Sequence, residues 1–245
     1  MIEPDLDGRT ALVTGSVRGI GPEVLLGLAD CGADVPVHYR TSDEAARAVA
    51  EVAREVGVAA TTVAADVTEP EAVDACVEMV EAALGSVDVL VNNVGAFHPH
   101  HWEHLDHADR ERLLETNLYG TYLASKRALP AMRASEWGRI VNVGYASSER
   151  GLVSPETFPY FVAKNGVIMY TRMLVADTMA DGITVNAGSP YVVETSAVFP
   201  EELPRERPAR FEDVLQEILF FLEADSNYVS GQNLEIDGGW LPERV

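Results

Sequence analysis

Short apolar segments alternate with longer amphipathic segments along almost the whole chain. Apolar runs of strand length, bounded by glycine, proline or polar turn residues, predict buried β-strands. They occur at residues 11–13, 35–39, 61–65, 87–91, 139–143, 183–186 and 233–236. The segments between them carry apolar residues at helical spacing, which predicts helices. These helices cover residues 23–30, 43–56, 70–84, 106–134, 161–179 and 212–223.

Strands that alternate with helices in this way predict an α/β fold. Because the strands are apolar throughout, the sheet should be parallel and covered by helices on both faces. Right-handed crossovers then give a single doubly wound parallel sheet of the Rossmann type. No linker or repeat interrupts the pattern, so we predict one domain over residues 1–245. The segment at about 190–210 contains four prolines, and we expect a functional surface loop there.

The charge balance limits the possible partners. The chain carries 39 acidic and 18 basic residues, a net charge of −21. Such a surface repels nucleic acid and anionic membranes, so we expect neither as a partner. Two cysteines, no signal peptide and no apolar run near the ~20 residues of a membrane span lead us to expect a cytoplasmic protein. The acid excess fits either a halophilic protein in a salt-rich cytoplasm or an ordinary acidic protein.

The turn after the first strand is rich in glycine. Gly15, Gly19 and Gly21 lie between that strand and the first predicted helix. Glycines at this place let the backbone approach a pyrophosphate, and the N-terminus of the following helix attracts it. The strand–turn–helix context is the one that distinguishes a dinucleotide site from an ordinary tight turn.

The end of the second strand indicates which dinucleotide is bound. A carboxylate there would accept a hydrogen bond from the ribose 2′-hydroxyl of NAD, whereas arginine accommodates the 2′-phosphate of NADP. This chain has Arg40 at that place and no acid before Asp43, and Arg18 lies in the glycine turn. We therefore predict NADPH in preference to NADH. The alternative is that Arg40 is merely a solvated charge.

Tyr160 and Lys164 form the pair that carries chemistry. Their i, i+4 spacing places both side chains on one face of a helix. A free tyrosine has a pKa near 10, and an adjacent ammonium group lowers it, which prepares the phenol for proton transfer. Lys164 is one of only two lysines in an arginine-rich chain, which makes a chance occurrence of this motif less attractive.

In these motifs the chain resembles the short-chain dehydrogenase/reductase family, over about residues 6–240. Further matches to the family are Asp66 and Val67, the segment 92–95, Asn117, Thr195 and the Asp-Gly-Gly of residues 237–239. Together with the arguments above, the resemblance implies a set of cofactor-binding residues. They are Thr14, Gly15, Arg18, Gly19, Ile20, Gly21, Arg40, Asp66, Val67, Asn93, Gly95, Tyr160, Lys164, Pro190 and Thr195.

The resemblance also implies an activity. The chain is most similar to 3-oxoacyl-(acyl-carrier-protein) reductases and their acyl-CoA relatives, which implies NADPH-dependent reduction of a carbonyl, such as a 3-oxoacyl thioester, to a secondary alcohol. Tyr160 would protonate the oxygen, Lys164 would tune Tyr160 and hold the ribose, and Asn117 would hold the water of the proton relay. Family members assemble as homotetramers or homodimers. A sugar, polyol or other small-ketone dehydrogenase, and a non-catalytic NADP(H)-binding sensor or structural subunit, remain alternatives.

Two positions depart from the family pattern. The family's serine, which polarises the substrate carbonyl, falls on Tyr145 when counted from Asn142 and on Ser147 when counted back from Tyr160. We take Ser147 first and Ser148 second, and Tyr145 is the alternative if no serine serves. The family's Pro-Gly after the sixth strand is here Pro190-Tyr191.

A histidine-rich segment follows the fourth strand. His98, His100, His101, His104 and His107 lie within ten residues. Histidines can bind zinc, nickel or copper, but no cysteine or firmly placed carboxylate completes a site. We therefore expect no metal, and the segment either contacts substrate or forms a solvated loop.

Overall fold

The computed structural model describes residues 2–150 and 154–240, so the outer limits of the predicted domain lie outside the described residues. All paired strands run parallel in one sheet of order β3-β2-β1-β4-β5-β6-β7. The strands are β1 Thr10–Val13, β2 Val35–Tyr39, β3 Ala60–Ala64, β4 Val87–Asn92, β5 Gly138–Val143, β6 Ile183–Pro190 and β7 Asn233–Ile236. The order reverses between β1 and β4, which confirms the predicted doubly wound sheet.

Seven α-helices accompany the sheet in the described residues. They are α1 Gly21–Asp30, α2 Asp43–Val56, α3 Pro70–Leu84, α4 His107–Leu114, α5 Gly120–Ala134, α6 Phe158–Thr178 and α7 Phe211–Leu222. A π-helical turn, Glu115–Tyr119, joins α4 to α5, so the long helix predicted over 106–134 is continuous but widens to i→i+5 hydrogen bonding at its middle. Such turns occur mostly as local insertions at functional sites.

The two faces of the sheet are covered by different helices. Helices α1, α2 and α7 cover one face, where Val89 and Val91 of β4 pack with Phe221 of α7. Helices α3, α5 and α6 cover the other face, where Leu90 packs with Met132. Successive side chains of a strand point to opposite faces, and both faces of the central strands β1, β4 and β5 are buried. This explains why these strands are mostly apolar on both sides.

The last part of the sheet is longer than its apolar pattern predicts. Strand β6 continues to Pro190 because β7 pairs along its second half, from Ala187 to Pro190. All of β6 is buried. The sequence there contains glycine, serine and proline, which an apolar pattern does not register. The extension brings Pro190 to the carboxyl edge of the sheet.

The segment at 190–210 is largely irregular. Its ends come together where Ala209 N donates to Val192 O at 2.8 Å, and a single 3₁₀ turn, Pro204–Glu206, is its one regular element. No helix in the described ranges is both long and apolar enough to cross a bilayer.

Candidate active site

A cleft of about 860 Å³ opens at the carboxyl edge of the sheet. Ligands bind at this edge in doubly wound sheets. The predicted residues that line the cleft are Gly15, Arg18, Gly19, Ile20, Arg40, Asp66, Val67, Asn93, Gly95, Tyr160, Lys164, Pro190 and Thr195. Thr14, Gly21, Asn117 and Ser147 are not among the lining residues. Thr14, Gly21 and Asn117 contact residues that line the cleft. The backbone of Ser147 instead contacts Glu235 of β7.

The glycine turn forms an open cradle. Gly15 and Gly19 have φ values of 69° and 58°, in the left-handed region that favours glycine. A Cβ on Gly19 would meet nothing within 4 Å, so its backbone is open on that side. A Cβ on Gly21 would lie 2.2 Å from Gly15 O, which requires glycine where α1 begins. The cradle and the helix N-terminus suit a pyrophosphate.

Thr14 ties this turn to the end of β4. Its Oγ1 accepts hydrogen bonds from Asn93 N at 2.9 Å and from Val94 N at 3.1 Å. Asn93 returns a bond from Nδ2 to Thr14 O at 2.9 Å. Thr14 therefore fixes the two loops that border the cleft and does not itself line it.

Two arginines stand where β2 ends. Arg18 Nη2 donates to Ser42 Oγ at 3.0 Å, and Arg40 Nη1 lies 3.3 Å from Asp66 Oδ2. Burial opposes ionisation of Asp66, but hydrogen bonds from Thr68 and the charge of Arg40 outweigh it and lower the pKa of Asp66. The lining residues at the end of β2, 38–42, include no carboxylate. This end of the cleft therefore suits a phosphate better than a bare ribose.

His38 is a supporting residue that sequence reasoning did not single out. Its Nδ1 accepts a hydrogen bond from Gly15 N at 2.9 Å, so the ring helps to set the glycine turn. Burial lowers the pKa of His38 to about 4, which keeps the ring neutral and able to accept. A histidine inside an otherwise apolar strand was the available signal.

Tyr160 and Lys164 lie one helical turn apart on α6. Lys164 Nζ donates to Val143 O at 2.7 Å, and burial lowers the pKa of Lys164 to about 8. It lies 5.8 Å from the centre of the Tyr160 ring. Burial and the neighbouring Tyr145 raise the pKa of Tyr160 above its usual value, opposite to the direction expected from the sequence. The Tyr160 phenol is therefore protonated and can donate.

Asn117 sits behind the cleft on the π-helical turn. Its Nδ2 donates to Ala96 O and to Leu113 O, each at 2.8 Å, and its Oδ1 accepts from Ala96 N at 3.2 Å. A Cβ on Gly95 would lie 2.9 Å from Asn117 Oδ1 and 3.6 Å from Lys164 Nζ. Asn117 thus holds the loop after β4 close to Lys164.

The serines after β5 are turned away from the cleft. Ser147 Oγ is buried and has no hydrogen-bond partner among the residues that the structure describes, while Ser147 N donates to Glu235 Oε1 at 2.8 Å. Ser148 Oγ donates to Tyr145 O at 2.6 Å. Tyr145 lines the cleft, whereas neither serine does.

Aromatic rings surround Tyr160. Phe97 and Tyr145 meet its ring edge to face, with centroids 5.0 Å and 5.4 Å away. Tyr191 lies 6.3 Å from Tyr145 and stacks on Trp240 at 4.1 Å. Phe97 was not predicted, because a lone aromatic residue in a loop carries no spacing signal.

The histidine-rich segment lies on the rim. His98 and His100 stack at 4.4 Å, and His107 Nε2 lies 3.0 Å from Glu111 Oε1. Among the described residues, no group of three or more histidine, cysteine or acidic side chains is arranged to hold a metal ion. From this stretch, only Phe97 and Pro99 contribute to the lining of the cleft.

Comparison with known proteins agrees with this geometry. The chain matches, over residues 15–241, the family model described as enoyl-(acyl carrier protein) reductase. It is 31% identical to the 3-oxoacyl-(acyl-carrier-protein) reductase FabG of Aquifex aeolicus, over 97% of this chain and 99% of the relative. The FabG of Staphylococcus aureus is 33% identical, over 94% and 97%.

Solved structures of other dehydrogenases share the fold. A gluconate 5-dehydrogenase from Burkholderia cenocepacia, in complex with NADP and tartrate, superposes with a TM-score of 0.89 at 32% identity, over 97% of both chains. The acetoin dehydrogenase YohF of Salmonella typhimurium superposes with a TM-score of 0.87 at 26% identity, over 94% and 95%. Since the family model and these relatives span nearly the whole chain, it belongs to the short-chain dehydrogenase/reductase family of oxidoreductases.

Proposed function

We propose that the protein is an NADP(H)-dependent reductase that converts a carbonyl to a secondary alcohol. The observation that carries the proposal is the placement of Tyr160 and Lys164 in one cleft with the glycine turn and with Arg18 and Arg40. A 3-oxoacyl thioester is the first substrate choice, because relatives with 31–33% identity are named as 3-oxoacyl reductases.

The residues of the cleft fit a bound NADP(H) along its length. The open backbone at Gly19 and the N-terminus of α1 would hold the pyrophosphate, and Arg18, Arg40 and Ser42 would hold the 2′-phosphate. Asp66 and Val67 would border the adenine. At the other end, Gly95, Lys164, Pro190 and Thr195 would hold the nicotinamide and its ribose. A nicotinamide held there would supply the hydride for the carbonyl carbon.

The chain's own residues supply the proton. The raised pKa of Tyr160 keeps its phenol protonated near neutral pH, so it can donate to the substrate oxygen. Lys164, fixed by Val143 O, would then stabilise the phenolate that remains. Asn117 acts as a positioning residue that keeps the Gly95–Ala96 backbone against Lys164.

A second candidate is oxidation or reduction of a small polyol or hydroxyketone. The solved structures that superpose well include a gluconate 5-dehydrogenase and an acetoin dehydrogenase. The net charge of −21 also disfavours docking of an acidic carrier protein, which leaves acyl-CoA or a small ketone favoured.

The test is NADPH oxidation by the purified protein with acetoacetyl-CoA, and NADP⁺ reduction with gluconate and with acetoin. We expect turnover of one of these that falls at least ~100-fold in Tyr160→Phe, since general acid catalysis contributes about that much or more. NADPH binding without turnover of any carbonyl would instead support the non-catalytic alternative.

We also propose that the chain assembles through the outer faces of α5 and α6. Large apolar side chains are exposed along these helices and the π-helical turn, among them Tyr119 at 55%, Met169 at 72% and Met173 at 50%. Exposed patches of this kind mark interaction sites. Light scattering should give a dimer or tetramer mass, and the 26.6 kDa of a single chain would contradict the proposal.

A further inference from the structure

The structure suggests which group other than Tyr160 holds the substrate oxygen. We propose that the hydroxyl of Tyr145 donates the second hydrogen bond to this oxygen, in the role that a serine fills in relatives. This inference rests on the proposed function, since it concerns the same carbonyl. It assigns the role to a residue type that the family pattern does not contain at this place.

The backbone around Tyr145 is fixed by the sheet. Gly144 N donates to Gly188 O at 2.8 Å, and Ala146 N donates to Pro190 O at 3.1 Å. These bonds continue the pairing of β5 with β6 beyond the end of β5, so the residue between them cannot shift freely. A Cβ on Gly144 would lie 2.2 Å from Ser189 Oγ, so only glycine at this position lets the backbone before Tyr145 pack this closely against β6.

The ring of Tyr145 is held beside Tyr160. It meets Tyr160 at 73° with centroids 5.4 Å apart, and Phe161 at 80° with centroids 6.0 Å apart. Edge-to-face contacts of this kind orient aromatic side chains. Burial and the neighbouring Tyr191 raise the pKa of Tyr145 to about 12, so its hydroxyl keeps its proton under ordinary conditions. A protonated phenol is a hydrogen-bond donor.

The two serines cannot compete in this arrangement. Ser147 has φ 70° and does not line the cleft. Its Oγ is enclosed and finds no hydrogen-bond partner within residues 2–150 and 154–240. Ser148 donates its hydroxyl proton to Tyr145 O, which commits that donor to the backbone. The side chain of Tyr145 is therefore the one of these three that borders the cleft.

The two phenols would have different tasks. Tyr160 transfers its proton to the oxygen as the carbon receives the hydride, and it is left as a phenolate near Lys164. Tyr145 keeps its proton throughout and stabilises the charge that develops on the oxygen. Donors aimed at a developing oxyanion contribute strongly to rate because they need no reorganisation during the reaction.

The test compares Tyr145→Phe with Ser147→Ala and Ser148→Ala, using the carbonyl that the wild-type protein reduces fastest. We expect kcat to fall about 100-fold in Tyr145→Phe, typical of a lost oxyanion donor, and less than ~3-fold in either serine variant. The melting temperature and the NADPH affinity of Tyr145→Phe should match those of the wild type. Tyr145→Ser, which restores the family's residue, should recover at least ~10-fold over Tyr145→Phe.

A binding measurement separates this inference from catalysis. In the inactive Tyr160→Phe background, the same carbonyl substrate should bind about 5-fold more weakly when Tyr145→Phe is added, as expected for loss of one neutral hydrogen bond. Unchanged kcat in Tyr145→Phe, or a ~100-fold loss in Ser147→Ala, would overturn the inference while the reductase function stands. Absence of turnover by the wild type would overturn both.

Discussion

Arg40 is the side chain on which we propose that the preference for NADP(H) depends. Arg40 directly follows β2 and lines the cleft. Its guanidinium pairs with Asp66, which also lines the cleft. Arg47, one turn into α2, pairs with Asp43 and lies outside the cleft. The two arginines therefore differ in what they face and provide a matched pair for substitution.

We expect Arg40→Ala to weaken NADPH binding and to leave NADH binding nearly unchanged. A charge-assisted hydrogen bond contributes about 1.5–3 kcal/mol, which corresponds to roughly 10- to 100-fold in Kd. Fluorescence titration of each cofactor measures this, with Arg47→Ala as the control that changes neither affinity. Equal losses for NADPH and NADH would argue against a 2′-phosphate contact.

At the residue scale, most of the residues predicted from the motifs line the cleft, and motif spacing failed where the chain length varies. Two counts gave different positions for the family's serine, because the segment between Asn142 and Tyr160 contains about two extra residues. A count cannot show that Ser147 Oγ is enclosed and that Tyr145 faces the cleft. Phe97 and His38 were missed because their roles come from contacts between distant segments.

The packing of α7 on β6 contains a buried acid. Glu217 of α7 lies against Gly188 of β6, where an added Cβ would come within 2.1 Å of Glu217 Oε2. Neither carboxyl oxygen of Glu217 has a hydrogen-bond partner in the described part of the chain. Burial consequently raises the pKa of Glu217 to about 8, from an ordinary value of 4.5.

This acid should make stability depend on pH. Because the folded state binds the proton more tightly than the unfolded state, its stabilising effect is full below about pH 4.5 and is lost as pH rises to about 8. We expect Glu217→Gln to gain melting temperature relative to wild type as pH rises through this range. Glu212→Gln, at an exposed position of the same helix, is the control. If the melting temperatures of Glu217→Gln and wild type change in the same way with pH, the prediction is contradicted.

At the element scale, the alternation of strands and helices predicted the sheet, while boundaries followed tertiary contacts. Strand β6 runs four residues beyond its apolar core because β7 supplies a partner. The π-helical turn at Glu115–Tyr119 left no mark on the periodicity. Its presence is recognised only from the backbone, although Asn117 within it was predicted from the motif.

At the scale of the whole molecule, the acid excess is partly paired. The acidic face of α3 has no base of its own, but Arg127 of α5 reaches Glu81 at 2.9 Å and Asp74 at 3.7 Å. The net charge of −21 still implies repulsion across the surface. Salt should therefore stabilise the fold mainly through general screening.

We expect the melting temperature at pH 7 to rise by several degrees between about 0.1 M and 1 M KCl, as the Debye length falls from ~10 Å to ~3 Å. NaCl should have the same effect if screening is responsible. A melting temperature that does not rise with either salt would remove the interpretation of a protein suited to a salt-rich environment.

The scarcity of lysine has a practical consequence. Lys126 is exposed on α5 and Lys164 is buried in the cleft, and the chain has no other lysine. Besides any α-amino group, an amine-selective acylating reagent thus meets one exposed lysine and one buried lysine that a bound dinucleotide would shield further. Cleavage after lysine yields three peptides, and acylation of a lysine blocks cleavage at that residue. The peptides that remain joined therefore show which of the two lysines has reacted. Acylation of Lys164 would thus report whether the cleft is occupied, and acylation of Lys126 would serve as the internal reference, without any engineered label.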